Sequence, residues 1–185
     1  EGVSQIPDKC EVKLDDIVYK LFGEERRGGL WIASNNPLII TSRTYNTGGG
    51  KGTYGQYIPA IEKDKLNKNQ NQVFLPNIIF NEDYRANIGF INGESEEKVI
   101  VFEWFEIGSD LPLSVKLPPC SWNQYSLKNL LGNYFSYFPY FEGYLKTYVI
   151  GTDGTFMYSS NVDNKTGDAI FVPEALAPLS LQERK

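Results

Sequence analysis

The chain contains no histidine. That absence removes the commonest general base, the usual switch near neutral pH and the commonest zinc ligand, so Ser-His-Asp triads and Cys-His dyads in their ordinary form are excluded. Cysteine is limited to Cys10 and Cys120, too few on their own for a zinc site. No apolar run approaches the eighteen or so residues of a membrane-spanning helix. The opening EGVSQIPDK has neither the charged n-region nor the apolar h-region of a signal peptide, and with Glu in place of an initiator Met the expectation is a segment of a longer protein. Charge is not blocked either: 18 Lys and Arg lie interspersed among 23 Asp and Glu, leaving a net charge of −5. No basic footprint for nucleic acid or an anionic membrane results, so neither nucleic-acid binding nor membrane insertion is expected, and no cofactor.

What is present in quantity is aromatic and turn-forming. Twelve Tyr, eleven Phe, three Trp and seventeen Gly favour strands joined by tight turns, and 185 residues suffice for one good core or two small ones. The organising feature is an internal repeat. Thr41–Ala60, TSRTYNTGGGKGTYGQYIPA, and Tyr158–Glu174, YSSNVDNKTGDAIFVPE, share one plan: a β-type segment with Ser and Asn, a Gly-containing turn, then aromatic, β-branched residue, Pro. Tyr57-Ile58-Pro59 answers Phe171-Val172-Pro173. Upstream, Cys10 answers Cys120, Ile17–Gly23 answers Ser126–Gly132, and Gly29–Ile32 answers Gly143–Lys146.

The predicted fold is therefore all-β: an antiparallel β-sandwich built from two related repeats, each with one short helix. Residues 1–61 form a first, N-terminally incomplete repeat, 62–72 a polar linker, 73–174 the second repeat and 175–185 a tail. Only nine residues precede Cys10, where the second repeat has the strands between Val73 and Leu117 before Cys120. The first repeat is expected to fuse onto the second, leaving an edge near Val3–Val12 at a surface for a second molecule, a second copy included.

Local patterns fill in the plan. Leu14, Ile17, Val18, Leu21 and Phe22 share one helical face over 13–23, with Asp15 and Asp16 near its start and Gly23 at the C-cap. Strands are predicted at Leu30–Ala33 and Leu38–Tyr45 across Ser34-Asn35-Asn36-Pro37, at Val73–Phe80, Tyr84–Asn92 and Lys98–Glu106, and at Leu111–Leu117 with Pro112 marking an edge. Residues 122–132 read as the second helix, and Thr147–Ile150 with Thr155–Ser160 as a hairpin across Gly151–Gly154. The Gly-rich Thr47–Gly52 is not a phosphate loop, because GGGKGTYGQYIP runs into a strand ending in Pro and not into a helix.

Several residues are candidates for chemistry. Arg43 and Arg85 lie within strands beside polar groups, suited either to planar oxygen ligands or to internal ion pairs; Tyr45 accompanies Arg43. Asn87, Asn92 and Asn161 either meet a ligand or satisfy backbone at strand ends. Tyr134–Phe141 packs six aromatics into eight residues, to cap the core or to form a partner surface with Tyr137 and Tyr140 as its contacts. Asp163 and Asp168 offer oxygens around a turn, for a cation such as calcium or for an Asx-stabilised turn. Glu103 and Glu106 face opposite sides of one strand and cannot alone form a glycosidase pair.

The strings SRTYN with GTYGQYIPA, YRANIGFIN, VKLPP and VDNKTGDAIFVPE resemble a repeat of secreted or surface bacterial proteins, in which such phrases recur in this order. The pattern is also distantly similar to the small β-sandwich of the sensory rhodopsin transducer family. The resemblance implies a bacterial extracytoplasmic or cell-surface β-sandwich module without known catalytic residues. In that oxidising compartment Cys10 and Cys120, at matching places in the two copies, are a candidate disulfide. The expected function is non-catalytic binding or assembly with a glycan or protein partner; the alternative is a carboxylate- or metal-dependent carbohydrate-active enzyme.

Overall fold

The structure is a computed structural model that describes residues 11–24, 27–46, 54–66, 72–104, 113–132, 140–150 and 154–176. Two compact units divide the chain, Glu1–Trp31 and Ile32–Lys185. In the first, helix α1 spans Ile17–Phe22 and ends on Gly23, which takes φ +70° so that its N–H reaches the Tyr19 carbonyl at 2.7 Å, a left-handed stop that glycine adopts without steric cost. The helix is shorter than predicted. Asp16 sits at the N-cap without a side-chain capping bond, and Asp15 pairs instead with Lys13 Nζ at 3.0 Å. No α1 side chain is buried.

The second unit carries strands β1 Thr41–Asn46, β2 Tyr54–Pro59, β3 Gln72–Phe80, β4 Tyr84–Asn92, β5 Lys98–Trp104, β6 Leu113–Leu117, β7 Ser121–Ser126, β8 Phe141–Ile150, β9 Thr155–Asp163, β10 Ala169–Pro173 and β11 Ala175–Leu176, with helix α2 at Leu127–Leu131. Every pairing is antiparallel. One sheet runs β10-β9-β4-β7, a second β11-β3-β8-β5-β6, and β1 pairs with β2 as a separate hairpin. The predicted all-β antiparallel sandwich is what forms.

Period-two alternation builds its core. Along β4, Ala86, Ile88 and Phe90 turn inward with Met157 of β9, to meet Leu75 and Ile78 of β3, Ile100 and Phe102 of β5 and Leu145 of β8. Phe90 and Phe102 meet edge to face, 5.3 Å between centroids. Leu127 and Leu131 of α2 join the same core, and Ser126 caps the helix by accepting from Asn129 N–H at 3.1 Å.

Buried asparagines resolve the irregular backbone. Pro76 cannot donate to a ladder, and β3 shifts register against β8 between Leu75 and Ile78, with Asn77 at φ +54°. Asn161 crosses from β9 to satisfy the bulge: its Nδ2 donates to the Asn77 carbonyl and its Oδ1 accepts from Ile79 N–H at 3.2 Å. Asn92 does the same at the opposite corner, donating to the carbonyls of Glu96 and Pro118 at 2.7 and 2.9 Å and accepting from Glu94 N–H at 3.0 Å.

Five expectations need correction. Ser121–Ser126 is not helical: it supplies the edge strand β7, paired with β4 from Asn87↔Ser126 to Asn92↔Ser121, so only the last turn of the predicted helix is a helix. Thr147–Ile150 and Thr155–Ser160 do not form a hairpin, because β8 pairs with β3 and β5 in one sheet while β9 pairs with β4 and β10 in the other. Leu30–Ala33 is not a strand and the strand predicted from Leu38 starts at Thr41; the equivalent β8 is a strand because β3 and β5 flank it, and no described strand flanks 27–40. Ala175–Leu176 of the expected tail forms β11 against β3. Cys120 is an exposed free thiol whose Sγ approaches the Glu94 carbonyl at 3.5 Å, so the expected bridge is not formed; Cys10 lies outside the described residues.

The outer face of the β10-β9-β4-β7 sheet is also covered. Strand β9 is buried from Thr155 through Val162, since Phe156 and Tyr158 on that face pack with Leu66, and with Ile61, Ile91 and Phe171 at the margin. Leu66 belongs to the polar 62–72 stretch, whose described part makes a 3-10 turn at Lys63–Lys65. Strand β2 lies beside β10, and Ser160 Oγ donates to Gln56 Oε1 at 2.9 Å.

The repeat is visible in strand register. In the first hairpin Arg43, Ser42 and Thr41 oppose Tyr57, Ile58 and Pro59; in the β9-β10 hairpin Ser160, Ser159 and Tyr158 oppose Phe171, Val172 and Pro173. The aromatic, β-branched residue, Pro triplet thus holds the same pairing in both copies. Both helices also end on a glycine of positive φ that donates to the carbonyl four residues back, Gly23 to Tyr19 and Gly132 to Lys128, although Gly23 alone of the two is in the left-handed helical region.

Candidate functional site

Alternation divides the β1-β2 hairpin into two faces. Gln56 points to Ser160 and so fixes the inner one. Arg43, Tyr45 and Tyr57 share the other: Arg43 and Tyr57 are directly opposed, and Tyr45 stands two residues along. Tyr45 is 54% and Tyr57 57% exposed, and Arg43 is exposed and makes no ion pair with another described residue. The result is two aromatic rings beside a planar cation, able to stack on apolar faces while offering forked N–H donors. Arg43 and Tyr45 are legible as candidates in the sequence. Tyr57 is not, although it opens the aromatic, β-branched residue, Pro triplet; the strand register is what sets it opposite Arg43.

The other candidates do not join this face. Arg85 Nη1 donates to Asn164 Oδ1 at 2.9 Å, and Lys165 Nζ pairs with Asp83 at 2.7 Å. Asn164 closes the junction, its N–H donating to the Asp83 carbonyl and its Nδ2 to the Glu82 carbonyl. These contacts lace the β3-β4 and β9-β10 turns together, so Arg85 has a structural partner. Tyr140, 62% exposed, donates its hydroxyl to Glu82 Oε1 at 3.0 Å, which raises its pKa. Tyr137 lies outside the described residues.

Asp163 is engaged by its own turn. Its Oδ1 accepts from Lys165 and Thr166 N–H at 2.7 and 2.9 Å, and those backbone bonds, Thr166 first, lower its pKa. The Asp168 carbonyl accepts from Asp163 N–H at 2.9 Å. Among the described residues no three carboxylates or thiols gather as a metal group.

A second polar and aromatic cluster is hidden in the sequence because Ser121–Ser126 reads locally as the approach to a helix. Trp122 Nε1–H donates to Tyr158 OH at 3.0 Å, and Tyr158 OH donates to Gln124 Oε1 at 2.8 Å. Phe171 stacks on Tyr158 at 4.7 Å, and Gly89 opposite leaves the room that the ring occupies. Burial pushes the Tyr158 phenol up to about 12, with the Trp122 hydrogen bond acting the other way. The indole N–H, the phenol and the amide oxygen thus satisfy one another. Asn87 borders them, between Ser126 and Ser160.

One carboxyl is strongly perturbed. Glu174 follows β10, and its Oε2 accepts from Met157 N–H at 2.8 Å. Burial pushes its pKa up to about 8, against that backbone bond, which lowers it. Among the described residues no helix is long and apolar enough to cross a membrane.

Comparison with known proteins adds two distant likenesses. No protein-family model matches the sequence. Small ribosomal subunit protein uS4 of Saccharophagus degradans is 26% identical over 106 residues, covering 57% of this chain and 49% of that protein; the chain spans about half the length of the curated relative it matches. Among solved structures, the "Crystal Structure of Thermotoga maritima 1070" superposes with a TM-score of 0.48 at 14% identity, over 58% of this chain and 95% of that one. Neither likeness assigns the chain to a family.

Proposed function

We propose that this chain is a non-catalytic binding module of a bacterial cell surface or extracytoplasmic space, and that its ligand is a glycan held on the Arg43, Tyr45 and Tyr57 face. The observation that carries the reading is the cross-strand placement of an exposed guanidinium and two exposed rings on a hairpin that Gln56, on the opposite face of β2, ties to Ser160. Aromatic rings stack on the C–H faces of sugars, and a guanidinium serves hydroxyl or carboxylate oxygens. The enzyme alternative would need a second carboxyl flanking a bond opposite the perturbed Glu174. Glu174 instead engages the β9 backbone, which favours the binding reading.

The test is a glycan array followed by titration of the best ligand. Tyr45→Ala and Tyr57→Ala should each weaken binding by roughly tenfold or more, about 1.4 kcal/mol, while shifting stability by no more than about 0.5 kcal/mol as exposed positions do. Unchanged affinity in both variants, or no glycan bound by the parent protein, removes this reading.

A further inference from the structure

The two hairpins match in register, yet their surroundings differ. Strand β9 has a neighbour on each side, β10 and β4, and pairs with β4 along its whole length from Tyr84↔Asp163 to Asn92↔Thr155. Strand β1 holds the equivalent place in its hairpin, Arg43 corresponding to Ser160 and Tyr57 to Phe171. Among the described residues it pairs with β2 alone. Five consecutive residues, Thr41 to Tyr45, are all exposed, where β9 is buried from Thr155 to Val162. An edge of this kind presents unpaired N–H and C=O groups, and natural proteins shield such edges with Pro, inward charges or bulges. TSRTYN carries no Pro and a single charge, the exposed Arg43, and pairs with β2 without a register shift.

We infer that the edge of β1 left unpaired among the described residues is a docking site for an extended strand of the β4 sequence type, presented by a second polypeptide in which that strand is not already paired on both edges, as β4 is here by β9 and β7. The register of β9 with β4 specifies the occupant. Transferred to β1, it sets a strand of the pattern Tyr-Arg-Ala-Asn-Ile-Gly antiparallel to Thr41–Asn46, with the Ala opposite Thr44, the Asn opposite Arg43 and the Ile opposite Ser42. Main-chain hydrogen bonds supply the affinity in such strand addition, and alternate side chains the specificity. The pairing lies in the plane of the hairpin and does not depend on glycan binding; it sets the added Asn and Arg side chains beside Arg43 and Tyr45 on their face, not over it.

The experiment is hydrogen-deuterium exchange on the full chain with a synthetic peptide of the Tyr84–Asn92 sequence, YRANIGFIN. With peptide at about ten times its Kd, exchange across Thr41–Asn46 should slow by about tenfold, with no change across Thr155–Asp163. Two control peptides fix the interpretation: one with Pro in place of the Ala and Ile, and one of scrambled sequence. Neither should protect β1. No protection at millimolar YRANIGFIN overturns the inference, as does equal protection by either control, or protection that appears at β9 and not at β1.

Discussion

Glu174 is where a single residue sets a pH dependence. The side chain is turned onto the β9 backbone, its ordinary pKa of 4.5 raised to about 8 by burial. Because the folded pKa exceeds the unfolded one, the folded state holds this proton more tightly. The cost of ionising it is absent below about pH 4.5, grows as pH rises toward about 8, and is constant above. The residue as a whole is only half-buried, so the full linkage, about 1.4 kcal/mol for each tenfold difference in proton affinity, is an upper limit, and roughly 2–3 kcal/mol is the expected loss. Glu174→Gln keeps an acceptor for Met157 N–H and removes the titration. Urea midpoints from pH 4.5 to 9 should fall for the parent protein and run flatter for the variant; parallel curves would exclude Glu174 as the cause. Single residues are partly legible at this scale: the sequence offers Asn92 and Asn161 as either ligand-binding or backbone-satisfying. Which role Asn161 takes depends on a bulge about eighty residues away in β3, a fact of tertiary structure that no local pattern carries.

Strand β4 shows how much of an element can be read in advance, and where reading stops. The turn residues on either side, Asn81-Glu82-Asp83 and Asn92-Gly93, mark both boundaries, and the structure turns Ala86, Ile88 and Phe90 inward. Its neighbours are harder. SWNQYS also alternates, with Trp122 and Gln124 on one face and Asn123 and Tyr125 on the other, but its strand state comes from the edge that β4 offers some thirty residues earlier. Likewise Gly151–Gly154 is a sound turn signal, yet a sandwich uses such turns both for hairpins and for changing sheets. The pairing of β4 with β9 depends most tightly on Gly89. It lies opposite Tyr158, and a Cβ there would fall within the Tyr158 ring. Gly89→Ala should therefore displace Tyr158 from Trp122 and Gln124 and cost about 1–3 kcal/mol, as overpacking does. Denaturant melts measure the cost, and a shift in Trp emission reports the lost Trp122 bond. An alanine variant with parental stability and emission would show that the ring has space to move.

At the largest scale, the second unit stacks three layers, and the outer layer is the least secured. The two sheets enclose a core of fully buried Phe90, Phe102, Leu75, Ile78, Ile88 and Ile100. The hairpin and the segment after it rest on the outer sheet through fewer apolar groups, chiefly Leu66 against Phe156 and Tyr158, with the Gln56–Ser160 bond beside them. Local stability follows buried apolar contact, so regions with little of it open first. Leu66 is 4% exposed, and Leu66→Ala removes the transfer energy of its side chain and leaves a cavity, a change that costs about 2–5 kcal/mol in a closed core. Here the covering segment is an outer layer that can lift away, so the expected effect is local. Native-state exchange across Tyr54–Pro59 and Thr41–Asn46 should accelerate, while β3, β4 and β8 keep the protection of global unfolding. Exchange that accelerates equally in all strands would instead mean that hairpin and sandwich unfold as one cooperative body. In that case the edge of β1 that no described strand pairs would be held as rigidly as β9.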